Sequence, residues 1–263
     1  MRIALGIEYN GRAYCGWQSQ PSGCAVQDQV ESALAKFAGA PDTRIGINCA
    51  GRTDTGVHAR EQVAHFDTDL IRDDAAWVRG TNAYLPADIR VLWACEVPDS
   101  FHARFAAQGR AYRYLLLNDP VAPALLAGMV GWFHAPLDVA KMAEAAGLLL
   151  GEHDFSAFRA AECQAKSPVK TLREAAVLRR SGVIEFAFSA DAFLHHMVRN
   201  IVGGLVYVGA GRHSVDEFAA ILAGRDRSRA APTFAPDGLY LWQIEYDARY
   251  TLPSRPGRHP FFA

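Results

Sequence analysis

No stretch of this chain is long and apolar enough to read as a helical membrane span. The opening MRIALGIEYNG places an acid and an asparagine where a secretory leader needs an unbroken apolar segment, so no signal peptide is expected. Cysteine is sparse. The five (Cys15, Cys24, Cys49, Cys95, Cys163) are scattered, odd in number and without a CxxC pair. That pattern predicts reduced thiols in a cytoplasm and speaks against a disulfide framework or a zinc cluster. Also missing are GxGxxG, a Walker loop, a GxSxG elbow and HExxH. Nothing in the sequence calls for a nucleotide, flavin or metal, and no cofactor is expected. There is no internal sequence repeat and no low-complexity tract.

What is present is a chain of 263 residues, 50% apolar and 21% charged, enough for one large domain or two ordinary ones with a substantial core. The formal charge of −1 argues against a polyanion partner, but its distribution is uneven. Residues 1–99 carry 9 Lys+Arg against 13 Asp+Glu, a net of −4, and residues 100–263 carry 18 against 15, a net of +3. Most of the positive charge is arginine, which suits bidentate contacts to phosphate. A locally basic face can bind nucleic acid in a neutral protein, although scattered surface charge has the same bulk signature.

The periodicities predict a β-α-β-β-α-β order in the first hundred residues. Ile3, Leu5, Ile7 and Tyr9 alternate as a strand, and Asn10-Gly11 ends it. Val26, Val30, Leu34 and Phe37 share one helical face, stopped by Gly39 and Pro41. Strands are expected over 43–49, 62–68 and 89–97, with a helix from Asp73-Asp74 to about Tyr84. After a crossover at 98–105 the order recurs with insertions. Strands are expected over 112–117, 171–178, 183–189 and 239–246, the middle two forming a hairpin around Ser181-Gly182. Helices are expected over 137–150, 193–208 and 214–223, the last opened by a Ser214/Glu217 capping box and closed by Gly224. The reading is an α+β chain of two ferredoxin-like (split β-α-β) halves, residues 1–100 and 101–263. Each half has an antiparallel sheet with helices on one face.

Three stretches could carry chemistry. AGRTDTGVHAR, residues 50–60, reads as a loop between strands. Gly51 and Gly56 permit positive φ or close approach to a ligand, and Asp54 lies between them. The loop reads equally as a turn in which Thr53 and Asp54 bond nearby amides, or as the seat of a carboxylate. A carboxylate is ionised at neutral pH without an activating base. Second, Tyr112 and Tyr114 point the same way on a strand and Arg113 the other, with Arg104 and Arg110 close in sequence. Rings beside arginines stack and hold unpaired bases; half-buried strand tyrosines give the same pattern. Third, FLHHMVRNIVGGLVYVG carries an apolar stripe with His196, Arg199, Asn200 and Gly203 on another face. That face is either solvated or turned to a cleft where Arg199 meets a carboxylate. On a helix His195 and His196 diverge, which makes them a poor metal pair.

Taken together these residues resemble the tRNA pseudouridine synthases of the TruA type. GRTDTGVHA at 51–59 is similar to that family's catalytic loop. IALGIEYNGRAYCGWQSQP, FHARF at 101–105 with RAYRYLL, FLHHMVRNIVGGL and APDGLYL match in order, so the resemblance spans nearly the whole chain. It implies two ferredoxin-like halves with a basic active-site cleft between them. It also implies isomerisation of uridine to pseudouridine at positions 38–40 of the tRNA anticodon stem-loop, without cofactor or metal, by a cytoplasmic homodimer that touches no membrane. Carried over by position, Asp54 is the catalytic carboxylate and Arg199 its orienting partner. Arg52 helps displace and hold the flipped nucleotide, Tyr112 stacks on the target base and Leu239 packs against it. An RNA-binding pseudoenzyme of this fold would lack the Asp54–Arg199 pair, whereas both residues are present. A phosphate or ester hydrolase using Asp54 would need a metal motif or a second carboxylate motif, and none is present in the sequence.

Overall fold

The computed structural model describes residues 1–180 and 182–253. The chain is mixed α+β and divides into two compact units. One is Met1–Gln108 with the described residues from Leu241 onward, and the other is Gly109–Tyr240. This division differs from the one expected at 100/101 in returning the last strand to the first unit.

In the first unit the order is β1 (Arg2–Tyr9), α1 (Val26–Phe37), β2 (Asn48–Cys49), β3 (His58–Asp67), α2 (Asp74–Asn82) and β4 (Ile89–Val97). β1 pairs antiparallel with β3 and with β4, and β2 pairs antiparallel with β3. The spatial order β4-β1-β3-β2 is that of a split β-α-β unit. Asp73 caps α2 by accepting from the Ala76 amide. Trp77 of α2 is fully buried, edge-on to Phe37 at 5.3 Å and to Phe66 at 5.2 Å, which locks both helices to the sheet. β2 is far shorter than the 43–49 strand expected. α1 takes the backbone groups a strand would have used: Glu31 accepts from the Ile47 amide at 3.0 Å, and Gln27 donates to the Ile47 carbonyl at 3.4 Å. β3 in turn starts earlier than expected, so His58, Ala59 and Arg60 of the glycine-flanked stretch are strand residues.

The second unit runs through β5 (Ala107–Asn118, in this unit from Gly109), β6 (Gly131–Phe133), α3 (Val139–Gly147), β7 (Gly151–Asp154), β8 (Val169–Arg180), β9 (Val183–Ala190), α4 (Met197–Gly209) and α5 (Val215–Gly224). It ends at the start of β10 (Leu239–Tyr246). β5, β9 and β8 pair antiparallel in that order. The Leu115 amide donates to the Gly238 carbonyl at 2.9 Å, which sets the start of β10 beside β5. This repeats the topology of the first unit. β6, parallel to β5, and β7, on the edge of β8, were not expected; both are too short to show a period. Ser181, at the tip of the expected hairpin, lies outside the described residues, while Gly182 takes φ +86°. α5 has the expected Ser214/Glu217 capping box, but Arg225 rather than Gly224 adopts the left-handed terminal conformation. α4 begins at Met197, not 193, because His196 is left-handed at φ 60°.

The expectation of reduced thiols throughout needs correction. Cys15 and Cys24 are joined in a disulfide, with Cα atoms 5.5 Å apart. They lie nine positions apart in sequence, and a reversing loop brings the Cys15 amide onto the Cys24 carbonyl at 3.1 Å. Sequence spacing does not reveal that closure. Cys49, Cys95 and Cys163 are free, and burial pushes the Cys49 and Cys95 thiols up to about 11. Among the described residues no helix is long and apolar enough to cross a membrane.

His65, on β3, is 2% exposed, and its Nδ1 accepts from the Ala103 amide at 3.2 Å. Burial, with help from nearby His102 and Arg2, lowers its pKa from 6.5 to about 4. The folded chain therefore keeps His65 neutral where the unfolded chain protonates it. Stability is full above pH 6.5 and is lost as the pH falls toward about 4, with a limiting slope of about 1.4 kcal/mol per pH unit from this group. Denaturant unfolding at pH 7 and pH 5 should show that loss, and His65→Leu should flatten the dependence while lowering stability at pH 7.

Candidate functional site

Residues 51–57 of the first unit are held from both sides. Gln62 on β3 is fully buried and clamps Gly51, donating to its carbonyl at 2.5 Å and accepting from its amide at 3.3 Å. From the other side comes the loop between β1 and α1. The Thr53 carbonyl accepts from the Trp17 amide at 3.0 Å, and the Thr53 hydroxyl meets the Tyr9 hydroxyl at 2.7 Å. Gly16 makes this approach possible: it adopts φ +90°, and a Cβ there would lie 2.6 Å from the Thr53 oxygen. Gly11 is pressed as closely against the Val57 carbonyl, and its amide donates to the His58 Nδ1 at 3.0 Å. That bond places the His58 proton, in the neutral ring, on Nε2.

Asp54 starts the tight turn inside this frame. Its carbonyl accepts from the Val57 amide at 3.1 Å, and Gly56 supplies the left-handed residue at φ +79°. The loop is thus a turn, as one reading of the sequence had it. The side chains depart from that reading, since the Thr53 hydroxyl serves Tyr9 rather than a nearby amide. Asp54 is half-buried and Arg52 exposed. Of the two loop glycines only Gly56 is required by φ; a Cβ on Gly51 would meet nothing within 4 Å. Arg60 is a packing residue, its guanidinium over the Trp242 ring at 5.0 Å and bonded to the Trp242 carbonyl at 3.4 Å. The arrangement offers a carboxylate on a backbone that does not yield, with an exposed guanidinium two residues away.

In the second unit the two tyrosines of β5 part company. Tyr114 is fully buried, edge-on to Phe186 and Phe234, and its hydroxyl donates to the Ala235 carbonyl at 3.0 Å. Burial pushes its phenol strongly up, and it is a core residue. Tyr112 is half-buried and edge-on to Phe193 at 5.1 Å, so it remains the candidate ring. Arg113 points to the opposite side, as expected, where Glu174 (3.1 Å) and Glu185 (3.4 Å) hold it in an ion-pair network. It is therefore structural rather than part of a base-holding cluster. Arg110 donates to the Asp191 carbonyl at 3.1 Å.

Arg199 and Leu239 are joined by the segment 232–238. The Arg199 Nε donates to the Phe234 carbonyl at 2.9 Å, and the Phe234 amide returns to the Arg199 carbonyl at 3.2 Å. Gly203, one turn on, lets this segment cross α4, since a Cβ there would sit 2.3 Å from the Pro232 oxygen. Asn200 is fully buried and binds the Phe158 carbonyl (2.8 Å) and the Thr233 hydroxyl (2.7 Å). The bond to Thr233 fastens the segment to α4. Leu239 follows as a buried residue, its amide on the Pro236 carbonyl at 2.8 Å. His195 and His196 do not diverge as helical residues would. They precede the helix, and the turn at His196 brings their rings to 4.0 Å.

The supporting residues that sequence reasoning missed are Tyr9, Gly11, Gly16, Trp17 and Gln62. Their signal was the glycine pair around residues 11–16, which marks close backbone approach to an unidentified partner.

The family described as tRNA pseudouridine synthase matches this chain over residues 6–106 and 145–247. A tRNA pseudouridine synthase A of Thiobacillus denitrificans is 59% identical over 261 residues, covering 99% of each chain. Proteins of the same description from Methylobacillus flagellatus (58% identity, 96% of each chain) and Chromobacterium violaceum (59%, 97% of each) are similarly close. Matched over most of its length by the family and over nearly all of it by these relatives, the chain belongs to the tRNA pseudouridine synthase family.

Proposed function

We propose that this chain is an isomerase that converts uridine to pseudouridine in tRNA, at positions 38–40 of the anticodon stem-loop, with Asp54 as its catalytic carboxylate. The observation that carries the reading is the bracing of Asp54. Its flanking residues are fixed by Gln62 on one side and by Tyr9, Gly11 and Trp17 on the other. Such preorganisation is what a group needs when it must meet one atom of a flipped nucleotide.

The reaction breaks the C1′–N1 bond, turns the uracil and forms a C1′–C5 bond; the proton leaving C5 is balanced by one gained at N1. No redox change and no net water are involved. The base must first leave its stack, which costs a few kcal/mol and least near a loop. In this reading Arg52 holds the displaced nucleotide by its phosphate. The open space beside Gly51 admits the nucleotide backbone. Tyr112 stacks on the uracil, Leu239 closes the apolar floor and Arg199 orients Asp54. The enclosed ring then stays out of water while detached. Attack on the sugar, attack on the ring and removal of a sugar proton all use the same carboxylate. The active form is a homodimer in the cytoplasm, which sedimentation of the purified protein tests.

Asp54→Ala should abolish pseudouridine formation in a tRNA transcript while leaving circular dichroism unchanged and tRNA affinity within a few-fold. Near-normal turnover in that variant would sink the assignment. Tyr112→Leu should cost turnover more than binding, and Tyr112→Phe, which keeps the ring, should restore most of it. The tRNA binding constant should fall steeply with salt, since phosphate contacts release counterions; a flat plot of log K against log salt would contradict arginine–phosphate docking.

A further inference from the structure

FHARF, residues 101–105, is the motif whose role the site above leaves unassigned. Its five residues form a rigid turn in the first unit. Phe101 is fully buried between Tyr246 (5.2 Å) and Tyr250 (5.0 Å). The Ala103 carbonyl accepts from the Tyr246 hydroxyl at 2.6 Å, and the Ala103 amide donates to His65. The His102 Nδ1 accepts from the Arg104 amide (3.2 Å) and lies 3.4 Å from the Phe105 amide, and the His102 carbonyl accepts from the Ala106 amide (2.9 Å). A turn so fully bonded is not a loose loop. Yet it presents Phe105 to solvent at 78% exposure.

Most other exposed apolar residues, such as Ile71 and Leu125, are aliphatic and cannot stack, and the ring of Tyr84 is less exposed at 52%. Trp132 is less exposed, and its indole N–H is bonded to the Asp119 carbonyl. Phe105 differs in its setting. The His102 ring supports it at 4.3 Å and 34°, and the Arg104 guanidinium lies 5.9 Å from its centroid. His65 takes the Ala103 amide and pairs across the sheet with Asn48 of β2, which leads directly into the Asp54 loop, so the turn and the loop flank the same strand residue within this unit. An exposed ring backed by a second ring and flanked by arginine fits a flat, polyanionic partner.

We propose that Phe105 and Arg104 form a stacking platform for a second, unpaired tRNA base beside the nucleotide taken to Asp54, with Arg104 holding its phosphate. This rests on the reading of the chain as a tRNA-modifying enzyme. The platform contributes binding and register, not chemistry.

The test compares Phe105→Ala, Phe105→Trp and Arg104→Ala in the full chain. It uses tRNA affinity by filter binding, steady-state pseudouridine formation, sedimentation and a thermal melt as a folding check. Loss of one base stack should raise Kd and KM together about tenfold in Phe105→Ala, with turnover at saturating tRNA falling less than KM rises. Phe105→Trp, a larger stacking surface, should bind at least as tightly as the unsubstituted chain. Arg104→Ala should weaken binding and lower the salt slope. Unchanged Kd and KM in a folded Phe105→Ala overturn the platform while leaving the proposed activity standing. A changed sedimentation coefficient with unchanged tRNA affinity also overturns it, because the ring then serves a protein contact. Absence of tRNA binding by the unsubstituted chain overturns both.

Discussion

The carbonyl of Thr53 accepts the amide proton of Trp17, and most of the candidate site in the first unit follows from that bond. For it to form, two loops must pass at backbone distance, which any side chain at residue 16 would prevent. Once it forms, Tyr9 reaches the Thr53 hydroxyl, Gly11 closes on Val57, and the Gly11 amide finds the His58 ring. These contacts satisfy polar groups that would be costly to leave bare in the interior. The turn carrying Asp54 therefore has little freedom left, although it lies outside any strand or helix. Loops usually trade precision for adaptability; this one is held as a strand would be.

The second unit solves a similar problem with a helix. α4 is buried almost all round, and its Gly203 and Asn200 are met by the strap of residues 232–238. Arg199 is tied to that strap through both its guanidinium and its carbonyl, and Leu239 is the strap's exit into β10. Tyr114 anchors the same strap at Ala235, so the strand bearing Tyr112 is tied to it as well. The pairing of one core tyrosine with one half-buried tyrosine, two residues apart, separates scaffold from candidate ligand contact more sharply than sequence spacing does.

Long elements with a strong period are legible from the order of residues. β1, α1, β4 and β10 fall within a residue of where alternation and helical spacing put them, because one face of each meets the core. The errors have local causes. The 43–49 strand failed because α1 side chains captured its backbone groups. The helix expected from Phe193 starts later because His196 turns left-handed. β6 and β7 contain three and four residues, too few to show a period. The disulfide between Cys15 and Cys24 depends on a loop closure that spacing does not encode.

Family, α+β class and the loop that carries the carboxylate could all be read from the linear chain. They rest on contiguous motifs and on periodicity, both of which are properties of a line of residues. Packing was needed to establish that Tyr114 is core while Tyr112 is only half-buried, and that Arg113 and Asn200 are scaffold. It was needed again to show that Gly16 rather than Gly51 is the glycine the loop cannot replace, and that Phe105 is held out on a rigid turn. Each of these depends on what lies across from a residue. A residue's own spacing says which way it faces, and only the packed chain says whether core, strap or solvent waits there.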